Sequence, residues 1–301
     1  MNAAPLIEAL PSDFTLTLVD VGSAGGLNER WEPFKQVLSS VLFDPREPAA
    51  TGSFGRGATR VYPVALGDKA GEAELYLTAL ANMSSFLRPD PSVFARYGKK
   101  ARDAAVISTE KVAIEPLDQL ARRDGFRPDV LKIDTQGSEL LVLRGAEQAL
   151  QSVMLAEIEV SFFTRYVGQP LFADIEAFMK ERGFELIELL ELKRYRASNS
   201  LGIRNAAIPP GERSGRVAYG NAIFLRNEDQ LVRAAKDDGG ASLLRAIVGL
   251  VAYGKADLAA RLLDVGSDCL AATQRSRLEH GLSQLRRGEG GILARLLGRA
   301  G

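Results

Sequence analysis

The stretch Leu16-Thr17-Leu18-Val19-Asp20-Val21-Gly22-Ser23-Ala24-Gly25-Gly26 passes from an apolar run, through an acid, into a glycine-rich turn. Phe14, Leu16 and Leu18 alternate with Thr15 and Thr17, and Val19 and Val21 thicken the run. That pattern predicts a buried strand. Gly22, Gly25 and Gly26 then permit a sharp turn and a close approach of backbone to ligand, where a Cβ would intrude. Beyond them Trp31, Phe34 and Leu38 recur at helical spacing. Strand, glycine turn and helix together make the ligand-holding half of a doubly wound α/β domain.

The glycines read Gly22-x-x-Gly25-Gly26, which is not the Gly-x-Gly-x-x-Gly spacing that rests a pyrophosphate on a helix N-terminus. Asp20 would also repel a pyrophosphate. A carboxylate there suits a ligand with positive charge, such as the amino group or sulfonium of S-adenosylmethionine. A tight strand-to-helix turn without a ligand is the plainer alternative, and the acid before the turn favours the cofactor. Ser40-Val41-Leu42-Phe43-Asp44-Pro45 reads as a second strand that also ends in an acid. An acid roughly 20 residues past such a turn holds a ribose hydroxyl pair; Asp44 stands a little further on, as a longer first helix would require. Two hydroxyl donors need an acceptor-only group, which a carboxylate is. Asp44 could instead be a turn residue before Pro45, but paired with Asp20 the ribose reading is the stronger.

The rest of the chain continues the alternation. Thr59 to Leu66 reads as a third strand, Leu75-Tyr76-Leu77 as a short one, and Val112 to Ile114 as extended. Asn82-Met83-Ser84-Ser85-Phe86 reads equally as pocket lining or as an ordinary loop. Val130 to Asp134 is a fourth core strand with Asp134 at its tip, and Thr135-Gln136-Gly137-Ser138 leads into a helix. Met154 to Val160 carries Glu157 and Glu159 on one face, with Ala156 and Ile158 on the other. Phe172 to Arg182 is an amphipathic helix stopped by Gly183. Phe184 to Leu192 and Asn221 to Leu225 supply the last strands. The expectation is a mostly parallel sheet covered on both faces, with Asp20, Asp44, Asp134 and Glu159 near the strand ends where such sheets bind ligands.

Composition bounds the function. Lysine plus arginine equals aspartate plus glutamate, 38 each, so no global field draws the chain to nucleic acid or an acidic membrane. A lone Cys269 rules out an intramolecular disulfide and fits a reducing compartment, so the expected location is cytoplasmic. The first residues carry no secretory signal pattern, and no apolar run has the length of a membrane span. A single histidine, His280, removes any histidine-rich metal site.

At this point the motifs resemble the FkbM family of S-adenosylmethionine-dependent methyltransferases. The resemblance is carried by Asp20-Val-Gly-Ser-Ala-Gly-Gly26, Phe43-Asp44-Pro45, Leu131-Lys132-Ile133-Asp134-Thr-Gln-Gly137-Ser138-Glu139 and Leu143-Arg144-Gly145-Ala146. Ala65-Leu66-Gly67-Asp68, Ser84-Ser85, Pro116-Leu117-Asp118 and the tract from Glu159 through Gly168-Gln169-Pro170 add to it, over roughly residues 15 to 226. It implies a seven-stranded, Rossmann-like class I methyltransferase sheet and methyl transfer to oxygen, often a hydroxyl on a sugar or polyketide. By position, Asp20, Gly22 and Gly26 would hold the methionine part of the cofactor and Asp44 its ribose, with Ser23 and Leu66 counted among the cofactor contacts. Two departures stand out. The second-strand acid is usually glutamate, and the last strand lacks the aspartate often found before it.

An alcohol must lose its proton around the transition state, which suits a carboxylate or a charge-stabilising lysine. Asp134, Glu159 and then Lys132 are the candidates, although Lys132 and Glu159 could equally serve in ion pairs. The acceptor is expected to be a small molecule or glycan. Thr135-Gln136-Gly137 after Asp134 differs from the segment of enzymes that methylate extruded bases. The rival readings are an NAD-dependent oxidoreductase and a catalytically degenerate scaffold. From Lys193 to Tyr219, six basic residues face one acid, Glu212; the segment reads as a solvated loop, with recognition of an anionic acceptor as the alternative. Residues 1–228 are expected to form the methyltransferase domain and 229–301 a helical extension. Its stripe from Leu243 to Val251 needs cover, from the main domain or from a homodimer contact. Arg286-Arg287 beside Ile292 to Leu297 resembles a surface-binding helix, but Gly288, Gly290 and Gly291 weaken it.

Overall fold

A computed structural model describes residues 3–23, 26–50, 55–205 and 214–285. Gly25, Gly52, the stretch from Pro209 to Glu212, and the Arg286–Leu297 segment lie outside the described residues. Among the described residues the strands, in chain order, are β1 Leu16–Val21, β2 Leu38–Phe43, β3 Ala58–Tyr62, β4 Ala65–Leu66, β5 Gly71–Thr78, β6 Val106–Glu115, β7 Val130–Ile133, β8 Leu155–Ser161, β9 Phe184–Tyr195 and β10 Arg216–Arg226.

β1 is buried along its length except at Thr17, as a run of apolar residues in a central parallel strand requires. It pairs in parallel with β2 on one side and β7 on the other. The main sheet has seven strands in the order β3-β2-β1-β7-β8-β10-β9. Its pairs are parallel except that β10 runs antiparallel to both β8 and β9. The chain leaves β1 toward one edge and returns at β7 on the other side, so the strand order reverses there. Ligands of open α/β sheets bind at that reversal, beyond the carboxyl ends of the strands. Val19, Val21, Val41, Phe43, Leu131, Ile133, Ala156 and Ile158 belong to the core around it.

Two expectations are corrected. Thr59 to Leu66 is not one strand: β3 ends at Tyr62, and β4 joins β6 and β5 in a separate three-stranded sheet. Pro63 stands between them and has no N–H to donate to a ladder. The recurrence of Trp31, Phe34 and Leu38 does not mark an α-helix. Glu29–Val37 is a 3₁₀ stretch with Pro33 inside it, and Leu38 already opens β2; proline removes a helical hydrogen bond and clashes with the preceding turn.

The chain forms two compact units. One holds Leu16–Leu27 and Leu38–Gln230, hence both sheets; the other takes Met1–Thr15, Asn28–Val37 and Leu231–Gly301. In the second unit, helix Ala241–Ala252 buries Leu243, Leu244, Ile247, Val248, Leu250 and Val251. Gly254, at φ +73°, separates it from helix Ala256–Val265. Trp31 meets Tyr253 edge-on at 5.9 Å, and the Arg30 guanidinium lies 4.4 Å from the Tyr253 ring centre. Helix Ala272–Ser283 packs on helix Ala4–Glu8: Gln274 Nε2 donates to the Ala9 carbonyl at 2.6 Å, and Arg277 donates to that of Glu8. His280 is exposed. Among the described residues no helix is long and apolar enough to cross a membrane.

Candidate active site

The glycine turn after β1 is fixed by its neighbours. Gly22 has φ +81°, and its N–H donates to the Phe43 carbonyl at 2.8 Å. A Cβ at Gly22 would stand 1.9 Å from the Asp134 carbonyl oxygen, so only glycine lets the tips of β1 and β7 approach this closely. Gly26, at φ +87°, donates to the Ser23 carbonyl at 2.8 Å. The Ser23 hydroxyl is buried without a hydrogen-bond partner, an arrangement folded proteins rarely leave unfilled. At the end of β2, buried Asp44 accepts the Arg46 N–H at 2.9 Å through Oδ1. Its Oδ2 carries no hydrogen bond among the described residues. These tips open on a cavity of about 210 Å³ lined by Gly22, Phe43, Asp44, Leu66, Phe86 and Asp134, among others. Apolar walls with a few convergent polar groups, Asp44 and Asp134 among them, suit a nucleoside.

Asp20 and Lys132 do not line this cavity; they meet each other. Lys132 Nζ donates to Asp20 Oδ1 at 2.8 Å, with the Asp20 side chain 3% exposed and that of Lys132 17%. Strand register sets Asp20 opposite Lys132 and Lys132 opposite Glu157, a charged row across three central strands. Burial lifts the Asp20 carboxyl above its ordinary range, and Lys132 only partly offsets it. Burial likewise disfavours the charged Lys132, yet Asp20, Asp134 and Glu157 together lift its pKa. Glu157 accepts from Asn221 Nδ2 at 2.8 Å.

The loop after β7 is tied by a buried carboxylate. Glu139 Oε1 accepts the N–H groups of Thr135 (3.1 Å) and Gly137 (2.8 Å) and the Thr135 hydroxyl (3.2 Å). This holds Gln136 at φ +58°, a left-handed conformation that side chains other than glycine seldom adopt. Such strain persists where the surroundings over-determine it, and it clusters at functional sites. Gln136 Nε2 donates to Asp134 Oδ1 at 2.9 Å and to Glu159 Oε1 at 3.0 Å. From the other side, Ser85 Oγ donates to the Gln136 carbonyl at 2.8 Å.

A second cavity, about 200 Å³, adjoins the first. Asn82, Asp134 and Gln136 line both, and Glu159, Arg165 and Tyr219 belong to the second. Glu159 is buried at the end of β8, with Arg165 Nη2 3.5 Å from its Oε2. Arg165 is itself buried: Nη2 donates to Ser161 Oγ at 3.0 Å, and the guanidinium lies 4.3 Å from the Tyr219 ring centre. Burial, then the nearby Asp134, pushes the Glu159 carboxyl well above the usual range, against the pull of Arg165. A carboxylate made more basic in this way is a better proton acceptor. Among the described residues, no group of three or more His, Cys, Asp or Glu side chains could hold a metal ion.

Sequence reasoning missed Gln136, Glu139 and Arg165 as parts of the site. The first two lay inside a quoted motif, where a glutamate following a glycine turn was a visible signal for a loop anchor. Arg165 had no local signal, since its partners Ser161, Glu159 and Tyr219 are joined to it by the sheet. Asn82, Ser84, Ser85 and Phe86 line the first cavity, which decides between lining and ordinary loop for that turn. A family model described as Methyltransferase FkbM domain matches residues 32–186. No curated protein and no solved structure matches the chain.

Proposed function

This chain belongs to the methyltransferase FkbM domain family, and on that premise we propose that it transfers a methyl group from S-adenosylmethionine to a hydroxyl oxygen of a small molecule or glycan. The observation that carries the reading is the pair of adjoining cavities with Asn82, Asp134 and Gln136 in their common wall. The first cavity fits the cofactor: an acid for ribose hydroxyls at Asp44, apolar flanks from Phe43, Leu66 and Phe86, and a turn that admits no Cβ at Gly22, followed by the buried, unpartnered Ser23 hydroxyl. Gly22, Ser23 and Gly26 shape the cradle, and Asp20 anchors it through Lys132.

When bound, S-adenosylmethionine supplies an electrophilic methyl on a sulfonium. The protein's task is then to align an oxygen behind that methyl and to remove the oxygen's proton. In this reading the acceptor occupies the second cavity, and Glu159 or Asp134 receives the hydroxyl proton. Gln136 spaces the two carboxylates, and Arg165 stabilises the anionic form of Glu159. Lys132 acts by fixing the β1 tip.

Calorimetry of the full chain with S-adenosylmethionine and with NAD tests the proposal. Binding of S-adenosylmethionine alone is the expected result. Binding of NAD without it would replace the reading by an oxidoreductase, and binding of neither would favour a scaffold.

A further inference from the structure

A third cavity, about 400 Å³, is lined by Lys99, Lys100, Arg194, Arg196, Ser198 and Arg204, among others. Among the described residues, five basic side chains and no carboxylate stand in its wall, in a chain whose basic and acidic residues are equal in number. The cations stand on braced backbone. Gly98, at φ +55°, would place a Cβ 2.7 Å from Ser198 Oγ, so the two segments are in close contact. Ser198 N–H donates to the Arg96 carbonyl at 2.8 Å, and Asn199 closes its loop by bonding the N–H and carbonyl of Ile203 at 3.1 and 2.7 Å. Two of the cations have partners: Arg194 donates to the Gly215 carbonyl, and Lys100 lies 3.8 Å from Asp103. Lys100 and Tyr195 line both this cavity and the second one, so the two adjoin.

We infer that the acceptor carries a phosphoryl group, seated here by Lys99, Lys100, Arg196 and Arg204 while its hydroxyl reaches Asp134 and Glu159. A phosphate monoester bears close to two negative charges at neutral pH and matches the guanidinium fork, whereas a carboxylate would leave more of these cations uncompensated. The inference rests on the proposed transferase reading of the neighbouring cavity and names its substrate class.

The test is calorimetry at low salt with inorganic phosphate, pyrophosphate and acetate, on the full chain and on an Arg196→Gln/Arg204→Gln variant. Phosphate or pyrophosphate should bind more tightly than acetate. The variant should lose roughly 10–100-fold in that affinity, the worth of one or two charge-assisted hydrogen bonds. Its affinity for S-adenosylmethionine should not change. No binding of phosphate or pyrophosphate, equal binding of acetate, or undiminished binding in the variant would each overturn the inference. Failure of S-adenosylmethionine to bind alongside an intact anion titration strikes the transferase reading, and with it the cleft's role in seating an acceptor, and leaves only an anion site. Failure of the anion titration alongside intact cofactor binding strikes the cleft alone.

Discussion

Asp20 and Glu159 are both buried acids near the ends of central strands, on one face of the sheet, and each meets a cation. The first pair is direct: Lys132 Nζ sits 2.8 Å from Asp20, and neither residue lines either of the two adjoining cavities. The second is looser: Arg165 stands 3.5 Å from Glu159, Gln136 bonds Glu159 and Asp134 together, and all four residues line the second cavity. Where acid and base bond directly and away from these cavities, the pair serves the frame. Where the cation stands further off and one amide joins two acids at a cavity wall, the proton's position is left adjustable, which is what an acid–base group needs.

Chemistry gives the sharpest way to break this contrast. Glu159→Gln and Asp134→Asn should keep cofactor affinity, while whichever acid is the base loses turnover by roughly 10²–10⁴. Full activity in both variants would mean that positioning alone carries the reaction. The frame pair should fail differently. Lys132→Met leaves Asp20 buried and unpaired, so unfolding by denaturant should show a loss of about 3–5 kcal/mol. Adding Asp20→Asn should restore much of it, and additive losses in that double-mutant cycle would show that the two residues are not coupled. Asp44→Ala tests the cofactor cavity: a folded protein should lose about 2–4 kcal/mol of S-adenosylmethionine affinity, roughly a hundredfold. Unchanged affinity would assign the ribose to another residue.

The smallest effect is a slope. Burial raises the Glu159 carboxyl, so the folded state holds this proton more tightly than the unfolded chain does. The group's contribution to stability is fully present below the ordinary glutamate value of 4.5 and is lost as pH climbs through the higher folded value. Melting curves of Glu159→Gln against the parent should therefore diverge above that pH, in favour of the variant. Parallel curves would mean that Arg165 holds Glu159 charged throughout.

Much of the frame was legible because β1, β7 and β8 are apolar runs with acids at fixed places, and strand periodicity survives burial. Asp134 and Glu159 could be placed from β7 and β8, and Asp44 from the apolar end of β2. The second sheet was harder to read, because β6 is exposed over most of its length and its residues mix polar with apolar. The helical reading of Trp31 to Leu38 counted spacing and overlooked Pro33. Asp20 was read as facing a cationic ligand, whereas the cation beside it in the fold is Lys132, 112 positions away. Cross-strand partners of that kind depend on register, which a single sequence does not display.

The unit built from residues 1–15, 28–37 and 231–301 has a consequence for how the chain is made. Gln274 bonds to Ala9 across 265 positions, and Gly281 lies against Pro5 and Leu6. A ribosome delivers these partners some 265 residues apart, so helix Ala4–Glu8 emerges well before helix Ala272–Ser283, which packs on it. Contacts this distant are slow to close and leave apolar surface exposed meanwhile. A chain cut after Asn227 remains in that waiting state permanently, and it should melt earlier or aggregate.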